Sequence, residues 1–269
     1  MTTAPSPAPA ELRRRFDAAG PIVAEAAELA MQMRPPAGGP SGIQKSAQDW
    51  LTEADGAVEA FIAERMAALF PEDGFQGEET GRTHDGAFRW IVDPIDGTSN
   101  FARGRDRWCV SLGLVEHDVP VAGIIVAPAL GETFAAVRGE GATLNGTRIQ
   151  SAPTTDFHRA MVEVGWGHRV AVPDFIATID RVMTEGAMPR SGGSGALALA
   201  DVACGRSDGY IELSIQIWDV AAALAILAET DAVVSPFLRD GGLDGDIPIL
   251  ACAPGIAARL SEAARIRLD

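Results

Sequence analysis

The chemistry of this chain is concentrated in one segment, Trp90-Ile91-Val92-Asp93-Pro94-Ile95-Asp96-Gly97-Thr98-Ser99-Asn100-Phe101. An apolar strand, Trp90 to Val92, runs into two aspartates with Pro94 between them and Gly97 after them. The proline and glycine force a turn that can aim Asp93, Asp96 and the Ile95 carbonyl at one point. Three converging hard oxygen donors suit Mg²⁺, with water and substrate oxygens completing its octahedron. The N–H groups of Gly97 and Thr98 then face outward as a small anion-binding nest. Taken singly, Asp-Pro and Asp-Gly are ordinary surface turns. Two acids straight after a buried Trp-led strand favour the metal.

Two further acidic positions fit the same ions. Gly77-Glu78-Glu79 sets an acidic pair in the loop ahead of the sheet, a pattern that in isolation reads as a solvated loop. In Ile217-Trp218-Asp219-Val220 a single Asp opens a very apolar helix, where capping and the helix dipole also account for it. Ser191-Gly192-Gly193-Ser194-Gly195 precedes another apolar helix. Its glycines let backbone N–H groups approach an anion or polar ligand, or simply make a flexible loop before a Ser cap. Cys109, Cys204 and Cys252 contain no C-x-x-C pair, and His84, His117, His158 and His168 are scattered. Neither a disulfide framework nor a zinc motif is expected, and a reducing, cytoplasmic setting fits.

The elements that must position these residues read as two lobes within 269 residues, a length that can bury a real core. Residues 1–9 are expected to be a disordered tail without the order of a signal peptide. Residues 10–34 read as helix, with Gly20-Pro21 either kinking it or starting a second piece, and Pro35–Gly42 as a loop. Thr52 with Asp55 opens an amphipathic helix whose face carries Val58, Phe61, Ile62, Met66 and Leu69, and Pro71 ends it. Strands are expected at Phe88–Val92, Trp108–Glu116, Val121–Ala127 and Glu132–Arg138, then an Asn145-Gly146 hairpin within Gly141–Ile149. Residues 10–150 thus form an α+β lobe, an antiparallel sheet behind two helices, that holds the metal site. Residues 151–269 read as an α/β lobe contributing Asp219 and substrate contacts. Its helices are Pro173–Glu185, Ser194–Cys204 and Asp219–Ala228, and its strands Ala160–Gly165, Gly209–Leu213 and Ile247–Cys252.

A net charge of −15 argues against nucleic acid and anionic membrane surfaces as partners. The longest apolar runs, Val121–Leu130 and Val220–Ala228, fall short of the ~18 residues a membrane helix needs.

The segment Trp90–Phe101, together with Gly77–Glu79 and Trp218-Asp219-Val220-Ala221-Ala222, resembles the inositol monophosphatase family of Mg²⁺-dependent, lithium-sensitive phosphatases. Supporting pieces are Lys45, Asp49, Leu51–Asp55, Gly141–Gly146 and Asp208–Glu212, so the likeness spans nearly the whole chain after the tail. It implies an α+β, layered αβαβα sugar-phosphatase fold, a homodimer and two or three Mg²⁺ ions. It also implies that Glu78, Asp93 and the Ile95 carbonyl hold the first metal. Asp93, Asp96 and Asp219 hold the second, with Asp93 bridging, and Glu78 reaches a third through waters. Thr98 orients the attacking water and, with the Gly97 N–H, touches phosphate. Gly193, Ser194 and Glu212 meet the alcohol, beside Asp96 and Asp219.

The implied reaction is hydrolysis of a small phosphate monoester by metal-activated water, inositol 1-phosphate first. Histidinol phosphate is the runner-up, ahead of other sugar or nucleotide phosphates. A metal-binding regulatory protein on the same fold is the non-enzymatic alternative. Three departures from the family pattern bear on the alcohol: Asp106 where proline is common in a loop with Arg103, Arg105 and Arg107; Gly195 for alanine; and Glu229-Thr230-Asp231-Ala232 for a glycine-rich stretch.

Overall fold

Strongly apolar strands between residues 88 and 137 build the middle of a large sheet. The computed structural model of the chain describes residues 9–37, 43–46, 49–117 and 119–268, the side chains of residues 9, 43–46 and 49–51 excepted. The tail and the side chains of Lys45 and Asp49 lie outside the described residues. The first half runs α1 (Pro9–Met33), a hairpin β1 (Ile43–Ser46) and β2 (Asp49–Leu51), α2 (Glu53–Leu69), β3 (Gly74–Gly77), β4 (Gly81–His84), β5 (Phe88–Asp96) and α3 (Thr98–Phe101). It continues through β6 (Cys109–Glu116), β7 (Val119–Ala127), β8 (Glu132–Val137), β9 (Gly141–Leu144) and β10 (Thr147–Arg148). The second half runs β11 (Met161–Val164), α4 (Val172–Thr184), β12 (Met188–Arg190), α5 (Gly195–Ala203), β13 (Gly209–Ile215), α6 (Ile217–Ala228), β14 (Val233–Val234), β15 (Ile247–Cys252) and α7 (Ala257–Ala264).

The larger sheet has eight strands in the order β10-β9-β8-β7-β6-β5-β3-β4. Its neighbours pair antiparallel except β3 and β5, which run parallel. The smaller sheet has five strands, β12-β11-β13-β15-β14. Helices α1 and α2 cover one face of the larger sheet, where Val23, Ile62 and Met66 pack with Trp90, Val92 and Leu112. Its other face meets α5 and α6 through Ile91, Ile125 and Phe134. Those same two helices rest on Tyr210, Ile249 and Ala251 of the smaller sheet. Outside that sheet, α4 and α7 bury Val182 and Leu260 against Val162, Ile211 and Leu250. The layers are therefore αβαβα, the architecture the sequence implied.

The closest approach is between α6 and the larger sheet. Gly113 and Gly123 sit directly opposite each other on β6 and β7. A Cβ on Gly113 would lie 2.7 Å from the Ala221 Cβ, and one on Gly123 would overlap the Ala222 carbonyl. Only paired glycines let the helix backbone lie this low. Most of the predicted elements stand, including the Asn145-Gly146 turn, where both residues take positive φ (49° and 76°).

Three local expectations differ. Pro21 lies inside one continuous α1 and does not start a second piece, because Ala19, Ile22 and Val23 around it are buried and packing holds the helix through the lost hydrogen bond. Leu69 is 51% exposed, while Met66 before it and Phe70 after it carry the contact with the sheet. Helix α6 begins at Ile217 with Gln216 as its cap, so Asp219 sits inside the first turn. Among the described residues no helix is long and apolar enough to cross a membrane.

Candidate active site

β5 is buried along most of its length and ends at the Asp93–Asp96 turn. Pairing with β6 slips between these two aspartates, and the bulge accommodates Pro94, which has no N–H for the ladder. The Asp93 carboxylate accepts the Ile95 N–H at 3.0 Å, closing the turn. Gly97 follows at φ 92° in a space where a Cβ would press on the Arg107 and Gly193 carbonyls, both at 3.0 Å. No other residue fits there. The Thr98 hydroxyl donates to the Ile95 carbonyl at 2.9 Å.

Three aspartates from two elements, β5 and α6, meet at this turn. Asp93, Asp96 and Asp219 each present a carboxylate oxygen within 4.8 Å of the others. Asp96 also caps α5: its Oδ1 accepts the Gly195 N–H at 3.0 Å, and its Oδ2 accepts the Ala196 N–H at 3.0 Å and the Ser194 hydroxyl. Asp219 accepts the Gln216 N–H at 3.0 Å, so it is both a cap partner and a member of the cluster. The two readings of this residue coexist.

A second cluster, Asp55, Glu78 and Glu79, brings oxygens equally close. Asp55 closes the capping box of α2, accepting the Thr52 N–H at 2.7 Å. The Glu78 N–H donates to the Val92 carbonyl at 3.2 Å, extending the β3–β5 pairing. Glu59, 1% exposed, holds the rest of the loop by accepting the Glu79 and Thr80 N–H groups, both at 2.9 Å. A Cβ on Gly77 would overlap that carboxylate. Sequence reasoning assigned Asp55 only a capping role and missed Glu59 entirely. The signal for Glu59 was an acid one position from Val58 on the inward face of the helix.

Asp93 stands between the clusters. Burial first, then the carboxylates of Glu78, Asp96, Asp219 and Asp55, push its pKa well above the ordinary aspartate range. Burial and Asp96 push Asp219 up to about 7. Burial also raises Asp96, against the opposing hydrogen bonds from α5. So many carboxylates gathered in and beside a buried turn form a set that a hard divalent cation satisfies. The donor set has capacity left for one: Asp96 Oδ1 takes a single side-chain hydrogen bond, from the Gly195 N–H, and has further lone-pair capacity.

Above the aspartates opens a cavity of about 230 Å³. Of the sequence-predicted site residues, Glu78, Asp96, Gly97, Thr98, Gly193, Ser194, Glu212 and Asp219 line it, while Asp93 and Ile95 lie beneath its floor. The Ser194 hydroxyl is already engaged with Asp96 and with the Leu197 N–H at 3.3 Å. Asn100, buried, fixes the adjoining glycine loop by donating to the Gly192 carbonyl at 2.9 Å and the Gly193 carbonyl at 3.2 Å. Of the three loop arginines, Arg107 turns inward and pairs with Glu163 at 2.6 Å and Asp201 at 2.8 Å.

On the far wall the Tyr210 hydroxyl donates to Glu212. Burial, with help from Asp219 and Asp96, pushes the Glu212 pKa up to about 8. Gly165 makes room for this pair, since a Cβ there would overlap the Glu212 carboxylate. Trp166 and Arg169 complete the wall, and Arg169 is the one cation lining the cavity among the described residues. Nothing in the pattern Gly165-Trp166-Gly167-His168-Arg169 announced either residue.

The chain is similar in sequence and fold to known proteins. An inositol-1-monophosphatase of Synechocystis is 37% identical over 202 residues, 71% of this chain and 68% of its own length. A protein of Xylella fastidiosa named Nus factor SuhB is 37% identical over 197 residues, 72% of each chain. The solved inositol monophosphatase of Anabaena superposes with a TM-score of 0.82 at 31% identity, covering 96% of this chain and 98% of its own. The model of the inositol monophosphatase family matches residues 11–265. With that span, and with acid clusters able to hold metal at the floor of one polar cavity, the chain belongs to the inositol monophosphatase family and is a phosphoric monoester hydrolase.

Proposed function

We propose that this chain hydrolyses a polyol phosphate, inositol 1-phosphate before others, in a Mg²⁺-dependent reaction. The observation that carries the reading is the placement of Glu212, a hydroxyl-accepting carboxylate, across one cavity from two converging acid clusters. Glu78, Asp93, the Ile95 carbonyl, Asp96 and Asp219 would hold two or three Mg²⁺ ions, with Asp93 shared. Bound there, the ions supply charge neutralisation for the phosphate and a lowered pKa for water.

The chain's own groups do the positioning. The Thr98 hydroxyl, anchored on the Ile95 carbonyl, uses its free lone pair to orient the attacking water. The Gly97 and Thr98 N–H groups meet the phosphate oxygens. Because the Ser194 hydroxyl is committed to Asp96, its loop offers backbone groups to the alcohol, with Gly193 beside it. Glu212, oriented by Tyr210, accepts hydrogen bonds from the ring hydroxyls. Water attack inverts phosphorus without a phosphoenzyme. In this proposal residues 10–150 form the lobe carrying most metal donors, and residues 151–269 add Asp219 and the alcohol wall.

The reading extends to a cytoplasmic homodimer. Free Cys109, Cys204 and Cys252 suit a reducing compartment. Exposed Val172, Ile176, Met183 and Met188, on α4 and the adjoining edge strand, suit a self-association surface.

Phosphate release across inositol 1-phosphate, histidinol phosphate, and sugar and nucleotide monophosphates tests the assignment. Inositol 1-phosphate should give the highest kcat/KM, with activity lost in excess chelator and inhibition by millimolar Li⁺ that Na⁺ does not reproduce. A higher value for histidinol phosphate would hand the site to that substrate. No release from any of them would leave a metal-binding regulatory protein.

A further inference from the structure

β13 separates two cavities of opposite character. Tyr210 faces the helices between the sheets, while Ile211 and Leu213 face α4 and α7. Its pairing with β15 slips between Glu212 and Ile215, so Leu213 and Ser214 bulge toward the outer side. There they help line an open cavity of about 550 Å³, bordered by α4 and the end of α7. That volume is in the range of small-molecule sites.

The walls of this outer cavity carry Arg169, Arg181 and Arg265 against one acid, Asp174. In a chain of net charge −15 such a concentration of cations is out of proportion. Arg181 spends two of its donors inside the protein, on the Ala263 carbonyl at 2.6 Å and the Thr178 hydroxyl at 3.0 Å. Those bonds fix the guanidinium without neutralising it. Asp174 and Asp180 are its acidic neighbours, and both are exposed to solvent. Arg265 has no carboxylate within ion-pair distance among the described residues, and it is held at φ 58° just past the end of α7. Its charge acts on Arg181, whose pKa is lowered by burial and by Arg265. Arg169 is tied only loosely, with Nε 3.4 Å from Asp246. The half-buried Ser214 adds a hydroxyl.

We infer that this outer cavity is a second binding site, for a small multivalent oxyanion of the phosphate type, held by Arg169, Arg181, Arg265 and Ser214. Planar guanidinium groups bordering one cavity from different elements can bind such oxygens in pairs, and the anion removes their mutual repulsion. Arg169 also lines the catalytic cavity, so the two sites share one side chain. The site needs no metal and stands whether or not the polyol assignment is right.

Phosphate titrations of the full chain, with Mg²⁺ and again in excess chelator, separate it from the catalytic centre. In chelator the arginine site should still take up phosphate, while the acid clusters repel it. Arg265→Glu, at a position exposed enough to leave the fold intact by circular dichroism, should weaken that binding by at least roughly tenfold. Arg181→Gln should weaken it comparably, and serves as the second variant because Arg181 also braces α7. Methylphosphonate, a non-hydrolysable monoester mimic, is the second probe: tighter binding than phosphate marks a phosphorylated metabolite as the source, weaker binding marks free phosphate. No uptake of either probe by the parent chain in chelator would overturn the proposal, as would undiminished uptake by Arg265→Glu.

Discussion

The two acid clusters look alike in composition and differ in how they are held. Asp93, Asp96 and Asp219 come from β5 and α6, and Asp96 is locked onto the first turn of α5. Their separation is set by how layers pack. Asp55, Glu78 and Glu79 come from the first turn of α2 and a loop, and the loop hangs on one buried carboxylate, Glu59. Their separation is set by a few hydrogen bonds. A site assembled this way has one rigid half and one half that a single side chain can loosen. Substitutions should therefore sort by which half they touch.

The largest effect is expected at Asp93, which feels both clusters. Asp93→Asn removes a charge shared by the two halves and should cut kcat on the order of a thousandfold with the fold unchanged. Kinetics like those of the parent would break the idea that the clusters act through a common residue. Glu212 belongs to neither half. Above about pH 8, where Glu212 is ionised, losing a hydrogen bond to that charged acceptor costs about 1.5–3 kcal/mol, so Glu212→Gln should there lower kcat/KM for inositol 1-phosphate by roughly ten- to a hundredfold. p-Nitrophenyl phosphate, which lacks ring hydroxyls, should be almost unaffected. Equal losses on both substrates would make Glu212 structural.

Glu59→Gln attacks the softer half alone. One acceptor remains where two N–H groups need one each, so activity should fall by roughly tenfold and recover in part at higher Mg²⁺, at a stability cost of about 1–3 kcal/mol. Failure of Mg²⁺ to rescue any activity would show that the loop is not the compliant part.

The smallest effect reports on the rigid half. Folded pKa values above the unfolded ones mean that the folded protein keeps protons the unfolded chain has released. For Asp219 and Glu212, starting from 3.8 and 4.5 and raised to about 7 and about 8, stability falls as pH climbs through that window. In excess chelator, calorimetry should therefore give a Tm several degrees lower at about pH 8 than at about pH 6, and Mg²⁺ should close the gap. A chelated protein equally stable at both pH values would mean the cluster is solvated rather than buried.

The rigid half was the legible one. Asp93, Ile95, Asp96 and Gly97 are positioned by local turn chemistry, and a turn is written in consecutive residues. Asp219 was visible because an acid at the head of so apolar a helix stands out. The softer half depends on Glu59 meeting a loop twenty residues away, and a glutamate in an amphipathic helix reads as solvated. β3 and β4 escaped because four-residue strands rich in glycine and polar side chains show no alternation. The wall residues Trp166, Arg169 and Tyr210 are brought to the cavity by sheet order alone, which periodicity does not carry. Leu69 shows the reverse error, an apolar residue in register with a face that Met66 and Phe70 complete without it.

The Gly113–Gly123 pair gives the rigid half its stiffness. At Gly113 and Gly123 the strands meet Ala221 and Ala222 of α6 with no side chain of their own between. Ordinary interfaces absorb small shifts through side-chain rotamers, and this one has no such cushion. A shift of β6 or β7 at this contact bears directly on the α6 backbone at Ala221 and Ala222, in the turn that carries Asp219. A single methyl group added beneath the middle of that helix thus becomes a lever on metal affinity, acting from a position that touches neither substrate nor ion.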